Sequence, residues 1–196
     1  MKLYLVRHGE TEHNVAQLLQ GFDDSLTILG IEQVNKAGLA LNDVKFDEIY
    51  VSDLLRTKQT VKEISKFHPF TPVYFEPRLR EQSVGVLENK PYGTVSKSAK
   101  EEGVEKIDYK PEGGESIRDL IARVTEFITW LIANKLDKTI LIVSHGGPII
   151  NIILTLLKKD DSEYKNYQPD NASITILEVE KDKAEMIKFN DVNHLK

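Results

Sequence analysis

Histidines and arginines gather in this chain at a few short stretches with unusual chemistry. Arg7-His8-Gly9-Glu10 and Ser144-His145-Gly146-Gly147 each carry an imidazole, Ser52-Asp53-Leu54-Leu55-Arg56 supplies a second guanidinium, and Arg78-Leu79-Arg80-Glu81 adds a carboxylic acid. Guanidiniums hold phosphoryl oxygens in forked hydrogen bonds. An imidazole in such a pocket can attack phosphorus and form a phosphohistidine that water later hydrolyses, which splits one difficult displacement into two easier ones. By residue type alone, either His8 or His145 can do this. Phosphoryl transfer needs mostly positioning and charge stabilisation, so fixed cations can take over the part that metal ions play elsewhere. The leaving alkoxide needs a proton, and Glu81 is the best-placed acid, provided the anionic substrate keeps it protonated.

Such residues act together only if the fold brings them to one rim. In open α/β sheets ligands bind beyond the carboxyl ends of the strands, and each stretch follows an apolar run of strand length: Leu3–Val6, Glu48–Val51, Val73–Glu76 and Thr139–Val143. Helical patterns follow, from about Leu54 to Phe67 and from Ile149 to Leu157, where Pro148 suits a first helical turn. A helix starting there points N–H groups and its positive dipole end toward an anion. The longest helix is expected from Ser116 to about Asn134, since Ile117, Leu120, Ile121, Val124, Phe127, Ile128 and Leu131 recur at helical spacing behind a Ser116/Asp119 capping box. Ile174–Val179 and Glu185–Phe189 alternate as a hairpin would around Lys181-Asp182-Lys183. The expectation is a three-layer αβα fold, one domain over 1–196 with a central, mostly parallel sheet. The polar segment 77–111, with a short helix near Tyr92–Glu102, reads as an inserted cap over one sheet edge, its Gly and Pro content permitting lid motion.

Composition narrows the partners. The chain has 196 residues, 40% hydrophobic and 29% charged, which suits a single core. A net charge of -5 and a pI near 5.6 argue against nucleic acid and anionic membrane, so any anion site must be locally focused. With Cys 0 there is no disulfide, thiolate nucleophile or zinc-thiolate site. No apolar run approaches bilayer length and the opening stretch is too short for a secretory signal. A soluble cytoplasmic protein acting on a small phosphorylated molecule is expected, and no pattern specifies an oligomeric state.

The stretch Leu5-Val6-Arg7-His8-Gly9-Glu10-Thr11 with Asn14, then Ser52-Asp53-Leu54-Leu55-Arg56-Thr57, Leu79-Arg80-Glu81, Gly113-Gly114-Glu115-Ser116 and Ser144-His145-Gly146, resembles the histidine phosphatase superfamily of phosphoglycerate mutase-like proteins. The resemblance implies that His8 is the nucleophile, that Arg7, Arg56 and His145 bind the phosphoryl group, that Asn14 contributes to the pocket, and that Glu81 is the proton donor. Gln20, Gly21 and Gly146 are further expected substrate-binding residues. It implies neither metal nor cofactor. Within the superfamily, the similarity is to TIGAR-type fructose-bisphosphatases and small broad-specificity phosphatases, carried by Leu41–Phe46, Ser52–Thr60 and Arg78–Glu88. Cofactor-dependent mutases follow the donor glutamate with Arg-His-Tyr-Gly or a close variant, whereas this chain has Gln82-Ser83-Val84-Gly85.

Plainer explanations compete for each residue. Arg7 or Arg56 alone would be an ordinary salt-bridge partner, and Glu81 could pair with Arg78 and Arg80 at the surface. His8, His13 and His145 could ligate a metal, but the flanking arginines would repel a cation. His68 reads as a helix terminus, and His194 lies in a tail that reaches the active site in some relatives. Lys97, Lys100 and Lys106 read as solvated, with attraction of a second phosphate as the alternative. The leading function is hydrolysis of a sugar phosphate or fructose bisphosphate. The alternatives are a cofactor-dependent phosphoglycerate mutase and a non-catalytic regulator that binds phosphorylated ligands.

Overall fold

Lys2–Arg7 sends apolar side chains to both faces, as a strand buried on both sides must. In the computed structural model, which describes residues 1–196, this strand is β1 and lies inside a sheet. The chain continues through α1 (Glu12–Ala16), α2 (Ile28–Ala40), β2 (Glu48–Val51), α3 (Leu55–Ile64) and β3 (Val73–Phe75). It then forms α4 (Thr94–Glu101), α5 (Ile117–Lys135), β4 (Thr139–Ser144), α6 (Gly146–Leu157), β5 (Ile174–Val179) and β6 (Ala184–Asp191). The sheet order is β3-β2-β4-β1-β5-β6. The first four strands in that order pair in parallel, while β5 and β6 are the antiparallel hairpin expected near the C-terminal end.

Alternation along β1 and β4 creates two cores and hence three layers. Leu3, Leu5, Ile140 and Ile142 pack with Leu120, Val124 and Phe127 of α5 and Ile149 and Ile153 of α6. Tyr4, Val6, Leu141 and Val143 face the other way, onto Phe46 and onto Val61 and Ile64 of α3. Each large apolar side chain removed from water contributes about 1.5–3 kcal/mol. The Ser116/Asp119 capping box is formed at the start of α5. No helix is long and apolar enough to cross a membrane.

The structure differs from the sequence reading in two elements. Helix α2 has no counterpart there. Its buried face is made of Gly30, Val34, Ala37 and Gly38, while Ile28, Leu29, Ile31 and Leu39 point outward. The small face allows close approach: a Cβ on Gly30 would collide with the backbone of Glu10, and one on Gly9 with the carbonyl of Gly30. The segment 77–111 packs elsewhere than a sheet edge, since the edges are β3 and β6. Its backbone pairs with the loop after α1: Leu19 N–H donates to Lys90 O (2.8 Å), Asn89 N–H to Leu19 O (2.9 Å) and Tyr92 N–H to Gln17 O (2.9 Å). It has its own small core of Val84, Val95, Ala99 and Tyr109, joined by Leu19. The segment therefore stands over the carboxyl ends of the parallel strands.

Candidate active site

The β1–β4 ladder decides where the two histidines meet. Arg7 pairs in register with Ser144, so the next residues, His8 and His145, leave adjacent strands side by side. His8 N–H donates to Ser144 O at 3.0 Å, and the two ring centroids are 5.1 Å apart.

Each ring has a defined tautomer. His8 Nδ1 lies 2.7 Å from Gly9 O, and a carbonyl only accepts, so Nδ1 carries the hydrogen and Nε2 keeps a lone pair. Burial, then Arg56 and Arg7, hold this imidazole well below the ordinary histidine range, so it stays neutral. In His145 the Arg56 Nε–H donates to Nδ1 (3.1 Å), which leaves Nε2–H to donate to Ser52 Oγ (2.8 Å). Its pKa is likewise held far down, by burial first and then by Arg56, His8 and Arg7.

Arg56 sits in the first turn of α3 and is fully buried. Its Nη1 donates to Gly21 O at 2.8 Å, while Nη2 has no partner. Burial lowers its pKa to about 10, which leaves it charged at neutral pH. Arg7 donates Nη1 to Pro169 O at 2.7 Å, and its buried Nε is unpartnered. Burial also lowers the Arg7 pKa, against the opposing pull of Glu81. A buried Arg56 and a partly buried Arg7, each with a free N–H group, are what a dianion requires and what an apolar interior tolerates poorly.

Glu81 enters from the turn after β3. Its Oε2 accepts from Gly147 N–H of α6 (3.1 Å) and its Oε1 from Gln82 N–H (2.9 Å). Arg123 of α5 ties the turn down, donating to Arg78 O (2.7 Å) and Glu81 O (3.1 Å) while paired with Glu115. A surface ion pair of Glu81 with its neighbours is ruled out: Arg80 is bound to Asp53, and Arg78 to Glu76 and Glu126.

Arg7, His8, Asn14, Gln20, Glu81 and Gly146 line one cavity of about 320 Å³. Asn14 closes the capping box of α1 with Thr11 and donates Nδ2 to Tyr92 Oη (3.3 Å), and Gln20 donates to Thr11 Oγ1 (2.6 Å). Gly21 lies beside Arg56, but its N–H is taken by Asp24 and its carbonyl supports the guanidinium. Gly146 opens α6 behind His145, with no side chain capping the helix.

His13 stands apart, bound to Asp24 (2.8 Å) and Asn89 (2.6 Å), and no group of His, Asp or Glu side chains is spaced to hold a metal ion. His68 is a buried ring packed edge-to-face on Phe46. His194 bonds Ala172 O (3.0 Å), and the tail docks on α2 through Lys36 Nζ to Leu195 O (3.1 Å), away from the cavity. Lys97 and Lys100 are exposed on α4; only Lys106 of the three lines the chamber adjoining the site.

The sequence reading did not single out Ser52 as the partner of His145, or Asn171. Asn171 Nδ2 reaches His8 O (3.1 Å), Gly9 O (3.2 Å) and Asn14 Oδ1 (3.1 Å). Its signal was its place just before β5: an antiparallel neighbour starts at the rim where parallel strands end.

Fold and pocket together define an α/β protein with a cationic pocket beside paired histidines. A sequence model of the histidine phosphatase superfamily (branch 1) matches residues 3–192, and the chain belongs to that superfamily. It is 41% identical over 134 residues to the bovine (Bos taurus) fructose-2,6-bisphosphatase TIGAR, covering 66% of this chain and 50% of that protein. The chain thus spans about half the length of such relatives. A broad-specificity phosphatase of Saccharomyces cerevisiae is 33% identical over 210 residues, covering 100% of this chain and 87% of the relative. Among solved structures, the α-ribazole phosphatase of Shigella flexneri superposes with a TM-score of 0.88 at 28% identity, covering 98% of this chain and 97% of that one.

Proposed function

We propose that this chain is a metal-independent phosphomonoesterase that hydrolyses a small phosphorylated metabolite through a phosphohistidine on His8. The observation that carries the reading is the neutral His8, with its Nε2 lone pair unblocked, beside the buried Arg56 and the partly buried Arg7, both of which retain an unpaired N–H group.

Arg7, Arg56 and the N-terminus of α6 hold the phosphoryl oxygens, with Asn14 and Gln20 at the rim. His8 Nε2 attacks phosphorus as the ester P–O bond breaks, and the leaving oxygen takes a proton from Glu81. Water then attacks the phosphohistidine, Glu81 accepts the water's proton, and the P–N bond breaks to release inorganic phosphate and neutral His8. Throughout, Gly9 O holds Nδ1–H, which orients the ring and steadies the positive charge it gains. His145 donates no proton in this scheme; it anchors Arg56 through Nδ1. The segment 77–111 acts as the cap of a single 1–196 domain. Similarity to fructose-2,6-bisphosphatases alone supports a sugar phosphate or fructose bisphosphate as substrate.

The test is phosphate release from a panel of phosphomonoesters in excess chelator, for wild type and His8→Ala. Turnover that survives chelation, disappears in the variant and passes through an acid-labile phosphoprotein supports the mechanism. Activity persisting in His8→Ala would sink it.

A further inference from the structure

The amide of Asn14 decides how a neighbouring phenol must aim its hydrogen. Asn14 Oδ1 accepts from Thr11 N–H (3.2 Å), Thr11 Oγ1 (3.1 Å) and Asn171 Nδ2 (3.1 Å). A flipped amide would set donor against donor on that side, so Nδ2 has to face Tyr92 Oη, to which it donates at 3.3 Å. Tyr92 Oη is therefore the acceptor in this contact. Its own hydrogen is left for another partner, and no protein acceptor receives it.

The position of the hydroxyl points to that partner. Tyr92 lines the same cavity as Arg7, His8 and Glu81. Among the leading influences on the two guanidiniums, Glu81 and Tyr92 are the ones shared by both: each, when ionised, stabilises the charge of Arg7 and of Arg56. The phenol thus borders the space between the cations that a dianion would fill. Backbone contacts keep it there. Pro91 bridges Leu18, Tyr92 N–H donates to Gln17 O (2.9 Å), and Thr94 Oγ1 donates to Pro91 O (2.7 Å) as α4 begins. Tyr92 is 49% exposed, so keeping its hydroxyl hydrated costs nothing, while a charged acceptor offers it a stronger bond than water does.

We infer that Tyr92, carried by the segment 77–111, donates its phenol hydrogen to a non-bridging oxygen of the phosphoryl group and completes the cradle that Arg7 and Arg56 begin. This deepens the phosphatase reading and rests on it. The segment then takes part in anion binding directly, beyond covering the pocket. Because the bond is made to the phosphoryl group and not to the alcohol, it serves different esters alike.

Vanadate affinity by titration, and kcat/KM for glycerol 3-phosphate and p-nitrophenyl phosphate, are measured for wild type, His8→Ala and Tyr92→Phe, which keeps the ring. Loss of one bond to a charged oxygen should weaken vanadate binding by ~10-fold or more and lower both kcat/KM values by a similar factor. A fluorinated tyrosine at position 92 that ionises near neutral pH separates this role from mere support of Asn14. Its phenolate still accepts from Asn14 Nδ2 but has no hydrogen to give. Vanadate affinity, relative to wild type at the same pH, should fall as that phenol ionises. Affinity that ignores the ionisation, or that stays within about 2-fold of wild type in Tyr92→Phe, overturns the inference. If Tyr92→Phe behaves as wild type while turnover requires His8, the phosphatase reading stands without the Tyr92 contact. If no ester releases phosphate yet vanadate binding depends on Tyr92, the phosphatase reading falls and the anion contact stands.

Discussion

Replacing Gly147 with alanine isolates Glu81, the proposed proton donor, from the rest of the pocket. A Cβ at this position would collide with Glu81 Oε1 and stand 3.2 Å from Leu120 Cδ2 and 3.4 Å from Glu81 Cδ. Leu120 is core and cannot retreat, so the carboxyl must swing away and its 3.1 Å bond from Gly147 N–H is lost. Displacing a catalytic group by ~1 Å costs on the order of 10²-fold in rate, or about 2.7 kcal/mol. General acid catalysis as a whole is worth about 10²–10⁴-fold, which bounds the effect. The assay is kcat/KM for an alkyl phosphate beside p-nitrophenyl phosphate, because kcat/KM reports events up to the proposed phosphorylation of His8. The alkyl ester should lose about 10²-fold, while the nitrophenyl ester, whose phenolate leaves without a proton, should lose less than about tenfold. Stopped-flow traces with the nitrophenyl ester should then show a burst, since in the proposed mechanism Glu81 also activates water in the second step. Equal losses in kcat/KM for both esters would refute Glu81 as the acid.

The buried neutral histidines make a pH prediction. His145 is held well below its reference value of 6.5, so below that pH the unfolded chain binds a proton that the native state refuses. Stability should therefore fall as pH drops from about 6.5, by up to ~1.4 kcal/mol per pH unit for this residue. Denaturant melts of His145→Gln should show a correspondingly shallower slope than wild type, and an unchanged slope would contradict the burial account. Arg56→Lys loses the fork that spans His145 Nδ1 and Gly21 O, so kcat/KM should drop by about 10²–10³-fold with matching loss of vanadate affinity by titration. Asn171→Leu strips one donor from three acceptors around His8 and should lower unfolding free energy by about 1–3 kcal/mol in urea, with wild-type stability counting against its anchoring role.

What the sequence disclosed follows from how the chemistry is positioned. His8 and His145 directly follow β1 and β4, Arg7 ends β1 and Arg56 lies in the first turn of α3, so local patterns placed these four at strand ends, whereas Glu81 comes farther along, past β3 and the short Pro77–Leu79 turn. Strands β1, β2 and β4 announced themselves as apolar runs, and α5 through its periodicity and capping box. Helix α2 was invisible because its pattern is inverted: it packs by backbone proximity at Gly30 and Gly38 while its largest aliphatic residues face out. The segment 77–111 was legible as a polar stretch rich in turn residues, yet its location was not, because it is fixed by backbone pairing between 17–19 and 89–92. The roles of Ser52 and Asn171 depend on contacts spanning 93 and 163 residues, which no local pattern encodes.

The placement of β1 has a consequence for biosynthesis. This strand forms early in the sequence but pairs only with β4 and β5, Lys2 lying opposite Thr139 on one side and Glu178 on the other. At translation rates of about 5–20 residues per second, Leu3–Val6 waits on the order of ten seconds for its first partner. During that interval a sticky apolar strand is held with both hydrogen-bonding edges open, a natural client for chaperones that bind extended segments. A ribosome-bound chain stopped short of β4 has neither His145 nor a ladder to set His8. Binding of a phosphate mimic during synthesis would therefore switch on late and abruptly, marking the moment at which the central sheet closes.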